Sequence, residues 1–204
     1  MNTMKRLIII GASGHGKVVA DIAKNTYQQI SFLDDNDSLQ FCGCYPVIGR
    51  CNDFVSYDDD FFVAIGDAAV RQRILTHLRE QGKKLPVLIH SNAVVAESAT
   101  VGDGSVIMAG AVINPGSTVG KGCIINTCSS VDHDCYLDDF VHVSVGSHLA
   151  GNVRVGKRSW IGIGAVVSNN INICDDCMVG AGAVVVHDLS IPGRYIGVPA
   201  RQMK

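Results

Sequence analysis

The sequence predicts a two-part chain: a small, Rossmann-like parallel α/β domain followed by a parallel β-helix. Three features carry this expectation. From Ile89 to Val185 every sixth residue is Val, Ile or Leu, with no insertion. A second series, four residues behind the first and beginning Ala93, Ala99, Ser105 and Ala111, is mostly Ala, Ser and Cys. Ahead of both, "KRLIIIGASGHGKVVADIAKN" reads as an apolar strand, a glycine-rich turn and a helix.

A six-residue period matches neither a 3.6-residue helix nor a strand that alternates every second residue. It suits a solenoid of short strands in which the aliphatic residue fills the interior and the small residue fits a tight place beside it. Stacked coils complete one another's backbone hydrogen bonds. Gly102, Gly120, Gly156 and Gly180 follow aliphatic positions, where unusual backbone angles are expected.

In the first part, the helix after "GASGHG" presents Val18, Val19, Ile22 and Ala23 as its apolar residues. "ISFLDD" is a second buried strand ending in acids. "DDFFVAIGDAAVRQRILTHLREQG" repeats strand, glycine turn at Gly66, and helix. Strands alternating with helices imply a parallel sheet. A boundary near Pro86 gives an α/β domain over 1–85, a β-helix over 86–190 and a C-terminal tail over 191–204.

Composition narrows the function classes. The 204 residues are 47% hydrophobic and 18% charged, enough for packed cores. A net charge of −2 argues against a nucleic-acid partner. The run Leu7–Ile10 is too short for a signal-peptide core, and no stretch approaches the length of a membrane span. The expected location is therefore the cytoplasm, where the eight cysteines stay reduced.

"GASGHG" follows a strand and opens a helix, where backbone N–H groups attract phosphate. Its spacing is G-x-x-G-x-G, not the dinucleotide G-x-G-x-x-G. Asp34 and Asp35 end the next strand, where acids accept hydrogen bonds from ribose hydroxyls. A nucleotide or nucleotide-sugar fits better than NAD; the alternative is a tight strand–helix turn and nothing more.

The segments "IIGASGHGKVVADIA", "FLDD", "FVAIGD", the hexads and the ending "YIGVPARQ" together resemble the bacterial nucleotide-sugar acetyltransferases of the hexapeptide-repeat class. The strongest likeness is to those that N-acetylate a UDP-4-amino-4,6-dideoxy-N-acetylglucosamine. The resemblance implies a left-handed β-helix, a homotrimer, acetyl-CoA as co-substrate, no metal, and a nucleotide-sugar held by the first domain. Carried over by position, Ser13, Gly14, His15, Asp34, Asp35 and Gly66 would contact that sugar. His133 would be the general base and Asp134 its helper, where the family carries Glu. His142, Gly151, Ile163 and Ala181 would contact acetyl-CoA.

The hexad register supports exposure of the base. Val131 and Cys135 occupy inward places, so His133 between them faces out. Histidine titrates near ~6.5 and suits removal of a proton from an amine near neutral pH. His148 has no counterpart in the motif. "CDDC" (Cys174, Cys177) has metal-like spacing, but Cys177 falls in an inward small slot with Cys123 and Cys135, and a closed zinc site needs four ligands. Cys128 is a second option, as an acyl carrier near His133, although direct transfer needs none. Rival readings are O-acetylation of a sugar or sialic acid, a non-catalytic nucleotide-sugar scaffold, and a zinc-dependent carbonic anhydrase.

Overall fold

In the computed structural model, which describes residues 5–203, the chain divides into two compact units, Met1–Leu88 and Ile89–Lys204. The first begins with β1 (Arg6–Ile10) and α1 (Gly14–Ala23), then β2 (Gln29–Leu33). A small hairpin of β3 (Phe41–Cys42) and β4 (Tyr45–Pro46) precedes β5 (Asp60–Val63) and α2 (Ala68–Glu80). β1 lies between β2 and β5, parallel to both, with Ile9 opposite Phe32 on one side and Phe62 on the other.

Leu7–Ile10 is wholly buried, as expected of a parallel strand covered on both faces. α1 buries Val19, Ala20, Ile22 and Ala23. Val18 is exposed, against the sequence expectation, because the inward stripe runs i, i+3, i+4 from Val19. Asp67 caps α2 by accepting the Val70 N–H at 2.9 Å. The buried stripe of α2 is Arg71, Leu75 and Leu78.

The second unit is a parallel β-solenoid whose pairing steps by 18 residues, as in Ile113↔Val131 and Val131↔Leu149. Three sheets form its faces. Face one stacks Val94–Val95, Val112–Ile113, Ser130–Val131, His148–Leu149, Val166–Val167 and Val184–Val185. Face two stacks Thr100–Val101 through Asn172–Ile173. Face three includes Val106–Ile107, Ile124–Ile125, His142–Val143, Trp160–Ile161 and Cys177–Val179, then Gly193–Ile196 and Arg201–Gln202. Each rung donates its N–H to the next coil, as Val112 does to Ser129 O at 3.0 Å.

The aliphatic series lines the interior: Ile125, Val131, Leu137 and Val143 are fully buried. Ile89, the first member of that series, is exposed, since no earlier coil covers it. The small series has a second duty at the corners. Ser117 Oγ donates to Asp132 O at 2.6 Å and accepts the Cys135 N–H at 3.1 Å. Ser105 and Ser159 bond the same way at other corners, accepting the Cys123 and Cys177 N–H groups. Cys123 and Cys135 stand in equivalent slots, and their thiols point at the Asp138 and Ala150 carbonyls, both at 3.2 Å. The slot therefore wants a small side chain with a donor, which Ser and Cys both supply.

The glycines named from the sequence are needed for a different reason than expected. Gly102, Gly120, Gly156 and Gly180 are not the left-handed residues. A Cβ on Gly102 would lie 2.7 Å from the Gly120 carbonyl carbon, and one on Gly156 2.4 Å from Asp175 Oδ1. They permit close approach of the next coil. The left-handed angles fall elsewhere in the turns, at glycines such as Gly116 (φ 75°) and at Cys128 (φ 55°), Asp134 (φ 59°) and Asn152 (φ 57°).

The interior should behave as one packed core. Leu137→Ala removes a fully buried side chain and is expected to cost about 2–5 kcal/mol, read as a lowered midpoint of denaturant unfolding.

Candidate active site

Each unit carries a cluster of the residues singled out in the sequence. In the first, the three segments meet at the carboxyl edge of the parallel sheet. The glycine turn follows β1, Asp34 and Asp35 follow β2, and Gly66 follows β5. In open α/β sheets ligands bind at this edge, where neighbouring strands diverge. Gly16 is forced by packing: a Cβ there would lie 2.3 Å from Gly11 O.

Asp34 ties the edge together. Its Oδ2 accepts the Ala12 N–H at 2.7 Å and its Oδ1 the Asn36 N–H at 2.9 Å. Asp35 Oδ1 accepts the Cys51 N–H at 3.0 Å. Burial, with Asp35 beside it, pushes the Cys51 thiol up to about 12. Ser13 and Gly14 are exposed at the start of α1. His15 Nε2 is shut off from solvent without a hydrogen-bond partner. Burial and, secondly, the charge of Arg71 lower the His15 pKa to about 4, so its imidazole is neutral at physiological pH.

Arg71 was not singled out from the sequence. It is 1% exposed, and its Nη1 donates to the Ile65 and Gly66 carbonyls, both at 2.8 Å. A charged residue in register with Leu75 and Leu78 on the inward stripe of α2 is the signal that could have found it.

In the solenoid, His133 sits at the corner between faces one and two. Its Nδ1 lies 2.9 Å from Asp134 Oδ2. A carboxylate only accepts, so Nδ1 carries a proton, and in the neutral ring Nε2 presents the lone pair. Both partners are largely exposed. The Asp134 hydrogen bond first, and the Asp132 charge next, raise the His133 pKa above its ordinary value. Glycines flank the pair on the adjoining coils. A Cβ on Gly151 would stand 2.6 Å from His133 Nε2 and Cε1, and one on Gly116 2.5 Å from Asp134 Oδ1. Gly151, expected as a cofactor contact, thus also makes room for the base.

His142 lies outward on face three. Asn126 Oδ1 accepts the Thr127 N–H at 2.8 Å, which turns the Asn126 NH2 toward His142 Nε2 at 3.1 Å. Nε2 therefore accepts, and the ring proton sits on Nδ1. Trp160 stacks on the imidazole at 5.1 Å and 19°, and its indole N–H donates to Ser144 Oγ. Asn126 and Trp160 were missed by sequence reasoning, although Trp160 stands one 18-residue coil beyond His142. Ile163 and Ala181 are exposed and stacked at the corner between faces three and one, where the Gly182 N–H donates to Ile163 O at 2.8 Å.

One chain thus brings together His133, Asp134 and Gly151, and separately Ile163 and Ala181, with His142 on a different face from either. Cys128 is exposed at the corner before the Ser130–Val131 strand, whereas His133 follows that strand. Within one chain the strand separates the thiol from the base it would need as an acyl carrier. His148 Nδ1 pairs with Ser130 Oγ at 2.8 Å on face one. Cys174 and Cys177 approach to 3.4 Å between sulfurs, and no group of three or more metal-ligating side chains occurs among the described residues. Among those residues no helix is long and apolar enough to cross a membrane.

A family model described as the PglD N-terminal domain matches residues 6–78. Over 111 residues the chain is 35% identical to UDP-N-acetylbacillosamine N-acetyltransferase of Bacillus subtilis (strain 168), a match spanning 50% of this chain and 51% of that enzyme. The acetyltransferase domain of PglB from Neisseria gonorrhoeae FA1090 is 43% identical, with a TM-score of 0.94 over 98% of this chain and 100% of that one. The same domain has been solved with acetyl coenzyme A, at 44% identity and a TM-score of 0.95 over 98% and 99% of the two chains. A mutant of perosamine N-acetyltransferase from Caulobacter crescentus, solved with CoA and GDP-perosamine, is 37% identical, with a TM-score of 0.93 over 99% and 98%. On likeness that runs through both units, the chain belongs to the bacterial nucleotide-sugar acetyltransferases that join a PglD-type N-terminal domain to a parallel β-solenoid.

Proposed function

We propose that the protein transfers the acetyl group of acetyl-CoA to the amino group of a nucleotide-linked amino sugar, with His133 as general base. The observation that carries this is the His133–Asp134 pair, set outward at a solenoid corner with Nδ1 on the carboxylate and Nε2 facing away from it, in a chain of this family. The preferred substrate is UDP-4-amino-4,6-dideoxy-N-acetylglucosamine. The curated match, a UDP-N-acetylbacillosamine N-acetyltransferase, supports a UDP-sugar. GDP-perosamine, bound by the Caulobacter crescentus relative, is the nearest competitor.

His133 Nε2 takes a proton from the sugar amine as nitrogen attacks the thioester carbonyl. The C–S bond then breaks, and the departing thiolate takes the proton back from the imidazolium. The Asp134 carboxylate favours that imidazolium and holds the ring through Nδ1. His142, fixed between the Asn126 amide and the Trp160 ring, is suited to line the pocket of the acetyl group. Ile163 and Ala181 offer an exposed edge to the arm of CoA. The nucleotide-sugar belongs at the carboxyl edge of the first unit, among Ser13, Gly14, His15, Asp34, Asp35 and Gly66. The buried, unpartnered His15 Nε2 supports a ligand there. Because His133, His142 and the Ile163 edge lie at different places around one coil, a homotrimer supplies the complete site, a cytoplasmic assembly in this reading.

His133→Ala is expected to lower kcat by about 10²–10⁴ while acetyl-CoA binding by calorimetry persists; near-normal turnover would sink the assignment. Gly151→Ala should leave the melting temperature close to that of the parent, since the exposed His133 ring can move aside. Turnover should nonetheless fall about tenfold or more, because the base is displaced. A protonated base is inactive, so kcat/KM should decline as pH falls through the His133 pKa, at a pH above ~6.5. A CoA-release screen over UDP-, GDP- and dTDP-amino-sugars and their hydroxyl analogues identifies the nucleotide and separates N- from O-acetylation. Preference for a hydroxyl analogue would overturn the amine reading.

A further inference from the structure

We propose that Asp132 is a positioning residue of the acyl-transfer site, a fixed carboxylate that caps the His133 N–H and sets a second negative charge beside the imidazole. This rests on His133 being the base. Asp132 Oδ1 accepts two hydrogen bonds, from the His133 backbone N–H at 2.8 Å and from Asn114 Nδ2 on the preceding coil at 2.8 Å. Its main chain is held as well. The Asp132 N–H donates to Leu149 O at 3.0 Å on the following coil, and its carbonyl accepts from Ser117 Oγ at 2.6 Å. Neighbouring coils on both sides therefore grip one aspartate through its side chain, its N–H and its carbonyl.

Two hydrogen bonds on one oxygen restrain the orientation of this carboxylate, so its charge is preorganised toward the proton that arrives on the base. The Asn114 hydrogen bond and then the His133 N–H keep Asp132 ionised to lower pH than an ordinary aspartate. Its role differs from that of Asp134. Asp134 bonds Nδ1 and sets the tautomer and the ring plane. Asp132 bonds only the backbone N–H of His133 and acts on the ring through space. Among the described residues of one chain, Pro115 and Gly116 from the coil below and Gly151 and Asn152 from the coil above also border this corner, none of them ionisable. Within one chain the two aspartates are thus the charged groups that act on the imidazole.

Asp132→Asn retains an oxygen for both hydrogen bonds and removes only the charge. In the full-length protein, the His133 imidazole, followed by NMR, should then titrate about half a pH unit lower, the scale of one nearby charge in water. The acid limb of kcat/KM should move down by the same step, with the acetyl-CoA Kd unchanged within about twofold. A purely structural role would leave the titration where it is. An Asp132→Asn protein whose His133 titration does not move overturns the proposal. If Asp132→Asn does not fold, Asn114→Ala carries the test. It keeps the charge and frees it from its tether, so the titration should move down by a smaller step, and no movement overturns the proposal. The titration is read independently of turnover. Full activity in His133→Ala would overturn the base assignment and the proposal with it, whereas an unmoved titration in Asp132→Asn overturns the proposal and leaves the base assignment standing, so the two failures are distinguishable.

Discussion

The backbone ladder between successive coils is the constraint on which the solenoid site depends. Every rung donates its N–H to the coil beyond and accepts from the coil before, with a step fixed at 18 residues. Residues that share a place in the coil are therefore stacked. That stacking puts Gly151 directly over His133 and Gly116 beneath Asp134. A two-residue dyad of exposed side chains would ordinarily sample several rotamers, at a cost in entropy when one is selected. Here the space beside each ring or carboxylate is defined by a glycine backbone, and the corner itself is pinned by buried hydroxyls and thiols.

Much of this was legible in the chain. From Ile107 onward the aliphatic series predicted the interior, because a solenoid repeats one local environment and the same residue type satisfies it each time. The small series predicted the corners for the same reason. The outward placement of His133 followed from the inward places of Val131 and Cys135. What was not legible was anything that depends on relations between coils. Asn114 reaching Asp132, and Trp160 stacking on His142, join residues 18 apart. Such pairs emerge only when the sequence is written in rows of one coil. The glycines show the complementary error. Their positions were read correctly as special, but a linear reading cannot tell a residue that needs φ > 0 from one that needs an empty Cβ position.

The first unit behaved differently. Its glycine turn, paired acids and second glycine were found at once, and they do converge on one sheet edge. Their individual duties were less predictable. Asp34 spends both oxygens on backbone N–H groups, so it builds the turn as well as facing it. Arg71 hid within an apolar stripe, where its guanidinium satisfies two carbonyls of the loop after β5. Charge at this edge is thus arranged partly from below the surface, by the buried Arg71 guanidinium.

The 18-residue step also makes the solenoid a ruler. Adding or removing a few residues inside a coil would rotate every later position onto the wrong face and push aliphatic side chains into water. Adding or removing a whole coil would leave every face intact and move the His133 corner along the axis by one strand spacing, about 4.8 Å. The reach from the first coil to the base is therefore adjustable only in whole steps. Fine adjustment must come from the lengths of side chains at the corner, and there the difference between an aspartate and a glutamate becomes the smallest available graduation.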